Sequence, residues 1–265
     1  MIETYSTSFG WATKLLGLGI RQDVRNIYGL VRVADEIVDG AADPKYASEL
    51  LNEFEAETYR AIKIGFSTNL VVHAFAHTSR TTNIETDIIE PFFHSMRMDL
   101  TEREHDQASF EKYVYGSAEV VGLMCLRAFV QGQRYTDAEN ESLVTGARAL
   151  GSAFQKVNFL RDLAADFRNL GRSYFPGVNV DTFNEDEKQR LIDDIEADLA
   201  LSAATLGLLP KSSRKAVAAA QMFFAALNAR IRNTPAEKLI ETRISVPNPI
   251  KIFILLKALL GVVPK

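Results

Sequence analysis

Two short segments of this sequence set carboxylates one helical turn apart. The first runs from Tyr28 through Arg32, Asp35 and Glu36 to Asp39, and the second from Gln155 through Asn158, Arg161 and Asp162 to Asp166. Residues three or four apart share a face of an α-helix. Tyr28, Arg32, Asp35 and Asp39 therefore form one polar stripe, and Gln155, Asn158, Asp162 and Asp166 a second. Both stripes run along apolar helices, the second flanked by Phe154, Val157, Phe159, Leu160 and Leu163. A lone Asp-x-x-x-Asp is usually a solvated helix face. Two copies on apolar helices are different, because a buried carboxylate must be paired, protonated or metal-bound. Arg32 and Arg161 could neutralise some of this charge, which is the purely structural alternative. Magnesium accounts for the remainder: it is a hard cation that binds one or two carboxylates together with substrate phosphate oxygens. Two facing aspartate pairs could hold several such ions around a diphosphate, with arginines donating charge-assisted hydrogen bonds to the same group.

Other chemistries are disfavoured. No G-x-x-x-x-G-K-[ST] occurs and no G-x-G-x-x-G follows a strand, which argues against a nucleotide site. No NADPH-dependent step is expected. The formal net charge is -4, without a basic tail, so nucleic acid is a poor partner. Cys125 is the only cysteine, which excludes an internal disulfide or a Cys-based zinc site. The opening Met-Ile-Glu-Thr does not read as a signal peptide, and the expected location is the cytoplasm. The most apolar stretch, Ile250 to Val263, carries Lys251 and Lys257 and is shorter than the roughly 20 residues that a spanning helix needs. It reads as a core helix or as a helix resting on a membrane.

The elements that must position the two stripes are helical throughout. Leu30, Val33, Ala34, Ile37 and Val38 recur at spacings of three and four, as do Leu143, Ala147, Leu150, Phe154, Val157 and Leu160. The pattern predicts helices over 22–39, 44–65, 69–79, 84–100, 107–132, 137–167, 184–205, 211–232 and 249–261. Gly40 suits a C-cap, Gly171 and Pro176 end the sixth helix, and Pro210 separates two later ones. The expected fold is all-α, a helical bundle in one domain over residues 1–265, to which the family resemblance given below adds a central apolar cavity. Gly151, one turn before Gln155, would admit a ligand or a neighbouring helix.

With both stripes in view, the chain resembles the squalene/phytoene synthase family from the N-terminus to about Lys251. Tyr5-Ser-Thr-Ser-Phe9 resembles its opening S-x-S-F segment, and Tyr28 to Asp39 its Y-x-x-x-R-x-x-D-[DE]-x-x-D signature. Met98-Asp-Leu100 and Tyr113 to Gly122 resemble its central elements. Gln155 to Pro176 is similar to Q-x-x-N-x-x-R-D-x-x-x-D followed by G-R-x-Y-x-P, and Arg243 and Lys251 resemble a C-terminal basic pair. The wording of the second signature is most similar to bacterial phytoene synthases.

The resemblance implies a helical isoprenoid-synthase fold and a head-to-head condensation of two prenyl diphosphates through a cyclopropylcarbinyl diphosphate. The expected product is phytoene, from two geranylgeranyl diphosphates. The alternatives are dehydrosqualene or squalene from two farnesyl diphosphates, and a non-catalytic scaffold. It implies Asp35, Asp39, Asp162 and Asp166 as ligands of magnesium, or of manganese in its place. Arg32, Gln155, Asn158, Arg161, Arg172 and Arg243 are implied to hold diphosphate. Ser6, Ser8, Tyr28, Tyr113 and Tyr174 are expected near phosphate or the reacting carbons, with Phe9 at the substrate. A small Thr13, sharing a face with Phe9, favours the twenty-carbon chain. Peripheral contact with the inner face of the membrane and a monomer or weak oligomer complete the expectations.

Overall fold

The computed structural model describes residues 7–40, 42–165 and 173–264, the side chains of residues 7–9 and 164 excepted. The helices are α1 (Thr7–Thr13), α2 (Leu18–Val38), α3 (Pro44–Ile64), α4 (Leu70–Thr82), α5 (Thr86–Thr101), α6 (Gln107–Val114), α7 (Val120–Val130), α8 (Asp137–Ala165), α9 (Glu185–Thr205), α10 (Lys211–Arg232), α11 (Ala236–Leu239) and α12 (Asn248–Leu259). No strand occurs among the described residues, where an isolated bridge joins Glu104 to Ser173. The all-helical expectation therefore holds, and every predicted helix is present with small shifts at its ends.

Local chemistry explains the boundaries. Asp43 accepts a hydrogen bond from the Lys45 amide just ahead of Pro44, and Asn69 accepts from the Val71 and Val72 amides. Asn184 and Glu187 close a capping box at the start of α9. Gly40, with φ of 115°, follows the last residues of α2 in the left-handed region where glycine is favoured.

One feature escaped the periodicity. Helices α6 and α7 are joined without a break by a π turn, Tyr115–Glu119. The composite helix Gln107–Val130 is long and apolar enough to cross a membrane. Phe110, Tyr113, Val120 and Met124 on it are nevertheless buried in the core, so its apolarity is that of a central helix.

Two buried clusters hold the bundle together. Leu30, Leu51, Phe75, Phe92 and Met124 belong to one, which unites α2 to α5 with α7. Val157, Phe175, Ile192 and Ile231 belong to the other, built from α6, α8, α9, α10 and the segment after Tyr174. The π turn and α7 cross α8 in backbone contact. A Cβ on Gly151 would lie 2.5 Å from the Ala118 carbonyl oxygen, and one on Gly122 would lie 2.5 Å from that of Ala147. Gly151 thus admits a neighbouring segment in backbone contact and also lines the cavity described below.

Gly151→Ala should force the π turn and α8 apart, costing about 1–3 kcal/mol and lowering Tm by roughly 2–10 °C. Gly207→Ala, where nothing lies within 4 Å of the new methyl group, should stay within about 0.5 kcal/mol of the parent. Equal thermal melts for the two variants would refute the backbone contact.

Candidate active site

A cavity of about 360 Å³ lies between α2, the π turn with α7, α8 and α10. Its wall is largely aliphatic and aromatic, with Val31, Val121, Leu150, Phe154 and Phe224 among the lining residues. Phe154 and Phe224 stack with their ring centroids 3.7 Å apart. Thr13, at the end of α1, also lines the cavity and is buried. Alongside Thr13, Ser117, Ser202 and Thr205, the polar part of the wall takes residues from both sequence stripes. Tyr28 contributes from α2, and Gln155 and Asn158 from α8. The two stripes therefore front one space, and the aspartates continue each stripe along its helix: Asp35 and Asp39 beyond Tyr28, Asp162 beyond Asn158.

Electrostatically the two sides differ. Asp35 is pushed up from the ordinary 3.8 to about 7. Burial is the main cause, the charge of Asp39 adds to it, Arg32 opposes, and Asp99 and Glu36 add further repulsion. Asp39 is exposed and its amide closes α2 onto the Asp35 carbonyl oxygen at 2.8 Å. Arg32 forms an ion pair with Glu36 one turn away. Asp162, in contrast, is held by two arginines. Arg161 donates from Nε at 3.0 Å, and Arg243 donates from Nε at 2.7 Å and from its terminal nitrogen at 3.3 Å. Burial pushes the Asp162 carboxyl up, but the hydrogen bonds and charges of these arginines outweigh it and hold it below the usual range.

Tyr113 and Tyr174, expected near phosphate or the reacting carbons, are not part of the cavity lining, and neither are Arg32, Asp35, Asp39, Asp162 or Arg243. The Tyr113 hydroxyl donates to both Asp99 carboxylate oxygens at 2.9 Å, and Tyr174 donates to one of them at 3.2 Å. Their rings stack with Phe159 and His105. Burial, followed by the Asp99 charge, raises the Tyr113 phenol well above 10. The physical reason is Asp99 itself: a carboxylate 5% exposed on α5 requires donors. Asp99 is the residue that the sequence reading missed. It stood in the Met98-Asp-Leu100 segment without a role, because one acid on an apolar helix gives no spacing signal. The π turn adds Ser117, whose hydroxyl is buried at the cavity without a partner among the described residues.

Ser6, Asp166 and Arg172 lie outside the described residues, as do the side chains of Ser8 and Phe9. Among the described residues no three acids, histidines or cysteines converge as a ready-made metal cluster. The Asp35 side nevertheless fits a hard divalent cation, since its donors are carboxylate oxygens. On the Asp162 side, a cation would have to share the carboxylate with Arg161 and Arg243.

A helical bundle around an apolar cavity, with polar stripes from two helices at one wall, is the architecture of synthases that enclose hydrocarbon chains. The squalene/phytoene synthase family matches residues 2–249, and the chain belongs to that family. Membership places it among the prenyltransferases, which act on prenyl diphosphates. The 15-cis-phytoene synthase of a Paracoccus species is 29% identical over 276 residues, covering 94% of this chain and 86% of that protein. The 4,4'-diapophytoene synthase of Staphylococcus haemolyticus is 26% identical over 202 residues, covering 75% of this chain and 66% of its own length. Among solved structures, a dehydrosqualene synthase in complex with ligand superposes with a TM-score of 0.79 at 20% identity, covering 98% of this chain and 93% of that one.

A folded-state pKa raised above the unfolded value means that the folded protein holds a proton which the unfolded chain has lost. Stability then falls as pH rises through that window, here between about 4 and 7. In EDTA, Tm should drop more steeply from pH 5 to pH 8 in the parent than in Asp35→Asn, and added magnesium should recover part of the parent's loss at pH 8. Superimposable Tm–pH curves for parent and variant would show that Asp35 is not the charged burden described.

Proposed function

We propose that this protein condenses two geranylgeranyl diphosphates head to head to give phytoene, with magnesium at Asp35, Asp39 and Asp162. The reading is carried by one observation: a largely apolar cavity whose polar wall is built jointly by Tyr28 of α2 and by Gln155 and Asn158 of α8. A molecule with a long hydrocarbon tail and an anionic head matches that division. The likeness to a 15-cis-phytoene synthase over 94% of the chain supports the twenty-carbon substrate, as does the small Thr13 in the lining.

The residues divide the work. Arg161 and Arg243 already bind a carboxylate by paired N–H donors, and the same donors suit diphosphate oxygens. Gln155, Asn158 and Tyr28 orient the head group at the cavity wall. Val31, Val121, Leu150 and their neighbours exclude water, so that an allylic cation meets the double bond of the second chain before it meets a nucleophilic solvent molecule. Bound magnesium would stabilise the charge developing on the departing diphosphate. Loss of a proton closes the cyclopropane, departure of the second diphosphate yields the cation that rearranges, and loss of a second proton then gives the phytoene-type product. The Asp99 network lies within electrostatic range of Asp35 and helps keep that carboxylate basic.

A second reading is the fifteen-carbon condensation, favoured by the likeness to a 4,4'-diapophytoene synthase. Purified protein with magnesium, supplied separately with farnesyl and geranylgeranyl diphosphate, distinguishes them by product chain length. A product formed only from the fifteen-carbon substrate would replace the first reading by the second. Asp35→Ala and Asp162→Ala should each reduce kcat/KM by about 100-fold or more, and activity persisting in both would remove the site. Thr13→Phe should depress turnover of the twenty-carbon substrate more than that of the fifteen-carbon one. Equal losses on both would separate Thr13 from chain-length choice.

A further inference from the structure

We propose that Ser117 is a catalytic residue, its hydroxyl donating a hydrogen bond to the ester oxygen through which a bound prenyl diphosphate ionises. The inference rests on the substrate class proposed above and adds a residue to that site. Ser117 stands in the middle of the π turn and lines the cavity. Its hydroxyl oxygen is buried and has no hydrogen-bond partner among the described residues. A buried hydroxyl without a partner lowers stability, and alanine would fill the same place without that cost. Packing therefore does not account for the serine. No hydrogen bond holds its side chain in one rotamer either, and rotation about χ1 turns so short a side chain toward the cavity with none to break.

The backbone around Ser117 is fixed on both sides. A Cβ on Gly116 would collide with the Pro91 carbonyl oxygen and the Ser95 hydroxyl of α5, and Ser95 donates to the Tyr113 carbonyl oxygen at 3.1 Å. On the other side Ala118 opposes Gly151 of α8, and Gly122 opposes Ala147, so the two segments run antiparallel. Ser117 is thus about level with Gly151, while Gln155 and Asn158 lie one and two turns further toward the aspartates. In the other direction Val121, Cys125 and Phe129 continue the wall from Ser117 at spacings of four. Ser117 therefore stands at the border between the polar end of the cavity and the apolar wall of its own helix. A prenyl diphosphate changes character at the same border, at the oxygen that joins its first carbon to phosphorus. That oxygen accepts a hydrogen bond weakly in the bound substrate. As the carbon–oxygen bond breaks, the electron pair stays on the oxygen and its charge grows, so a donor placed there acts mainly in the transition state. Ser117 keeps its proton throughout.

The test compares Ser117→Thr with Ser117→Val, two side chains of the same shape of which only the first carries a hydroxyl. Single-turnover release of pyrophosphate from farnesyl or geranylgeranyl diphosphate, with magnesium, reports ionisation whatever product follows. Ser117→Ala and Ser117→Val should lower the saturating rate about 10- to 100-fold, with the half-saturating concentration within about twofold of the parent. Ser117→Thr should exceed Ser117→Val by about tenfold. The Tm of Ser117→Ala should equal or exceed that of the parent, because an unpartnered hydroxyl is removed. Equal rates for the threonine and valine variants, weaker binding at an unchanged rate, or a rate loss in Ser117→Ala matched by a lower Tm would each overturn the proposal. If the two branched variants fail to fold, the rate and Tm of Ser117→Ala decide the matter. Pyrophosphate released without a joined hydrocarbon product would remove the condensation reading while the hydroxyl comparison still decided the role of Ser117. A joined product formed equally by parent and Ser117→Val would do the reverse, and no release from either diphosphate would overturn both.

Discussion

Negative charge buried among packed helices is the constraint around which the rest of this structure is arranged. Asp35 sits on a helix that buries Leu30, Ala34 and Val38, with Asp39 one turn further on and the charge of Asp99 reaching it from α5. Water cannot fully solvate such a group, and Arg32, which opposes the shift of Asp35, is also paired with Glu36. Folding tolerates the cost because the surrounding apolar burial is large compared with one displaced ionisation. Natural proteins concentrate such expense at sites that use it.

The bundle meets that constraint with two different solutions. On α2 the carboxylate takes up a proton more readily, its pKa rising to about 7. On α8 the carboxylate is clamped by Arg161 and Arg243, the latter from the segment between α11 and α12. Asp99 shows a third answer, two tyrosine hydroxyls and a shell of stacked rings. That network is structural in its immediate contacts, and it reaches the site through its charge. The stack ties α5, α6 and α8 to the segment at Tyr174, and the Ser173 amide bonds to the Arg103 carbonyl oxygen at 2.8 Å.

Close helix packing gives the cavity its shape. Backbone contact at Gly122 and Gly151 draws α7 and α8 together, and the π turn shifts the register so that Ser117 and Ala118 face inward. π turns recur where a helix must present side chains that a regular α-helix would aim elsewhere. On the far side, α10 presents Ala216, Ala220 and Phe224 to the cavity, while α12 covers its back with one apolar face and leaves the other exposed.

The sequence alone determined the helices and the two stripes, because both follow from a local period: apolar residues at three and four mark a buried face, and acids at the same spacing mark a polar line along it. Leu30 with Asp35, or Val157 with Asp162, needs no knowledge of the partner helix. The caps were equally local, as Gly40 and Pro210 show. Tertiary structure decided everything that depends on which helices meet. It put Tyr28 and Asn158 on one cavity, gave Asp162 a second arginine from 81 positions away, and assigned Tyr113 and Tyr174 to Asp99. It also set Gly151 both against a neighbouring segment and in the cavity wall, and left one apolar face of α12 exposed. Contacts between residues distant in the chain carry no periodic signature, so a lone Asp99 or an extra residue in a π turn stays silent until the chain is folded.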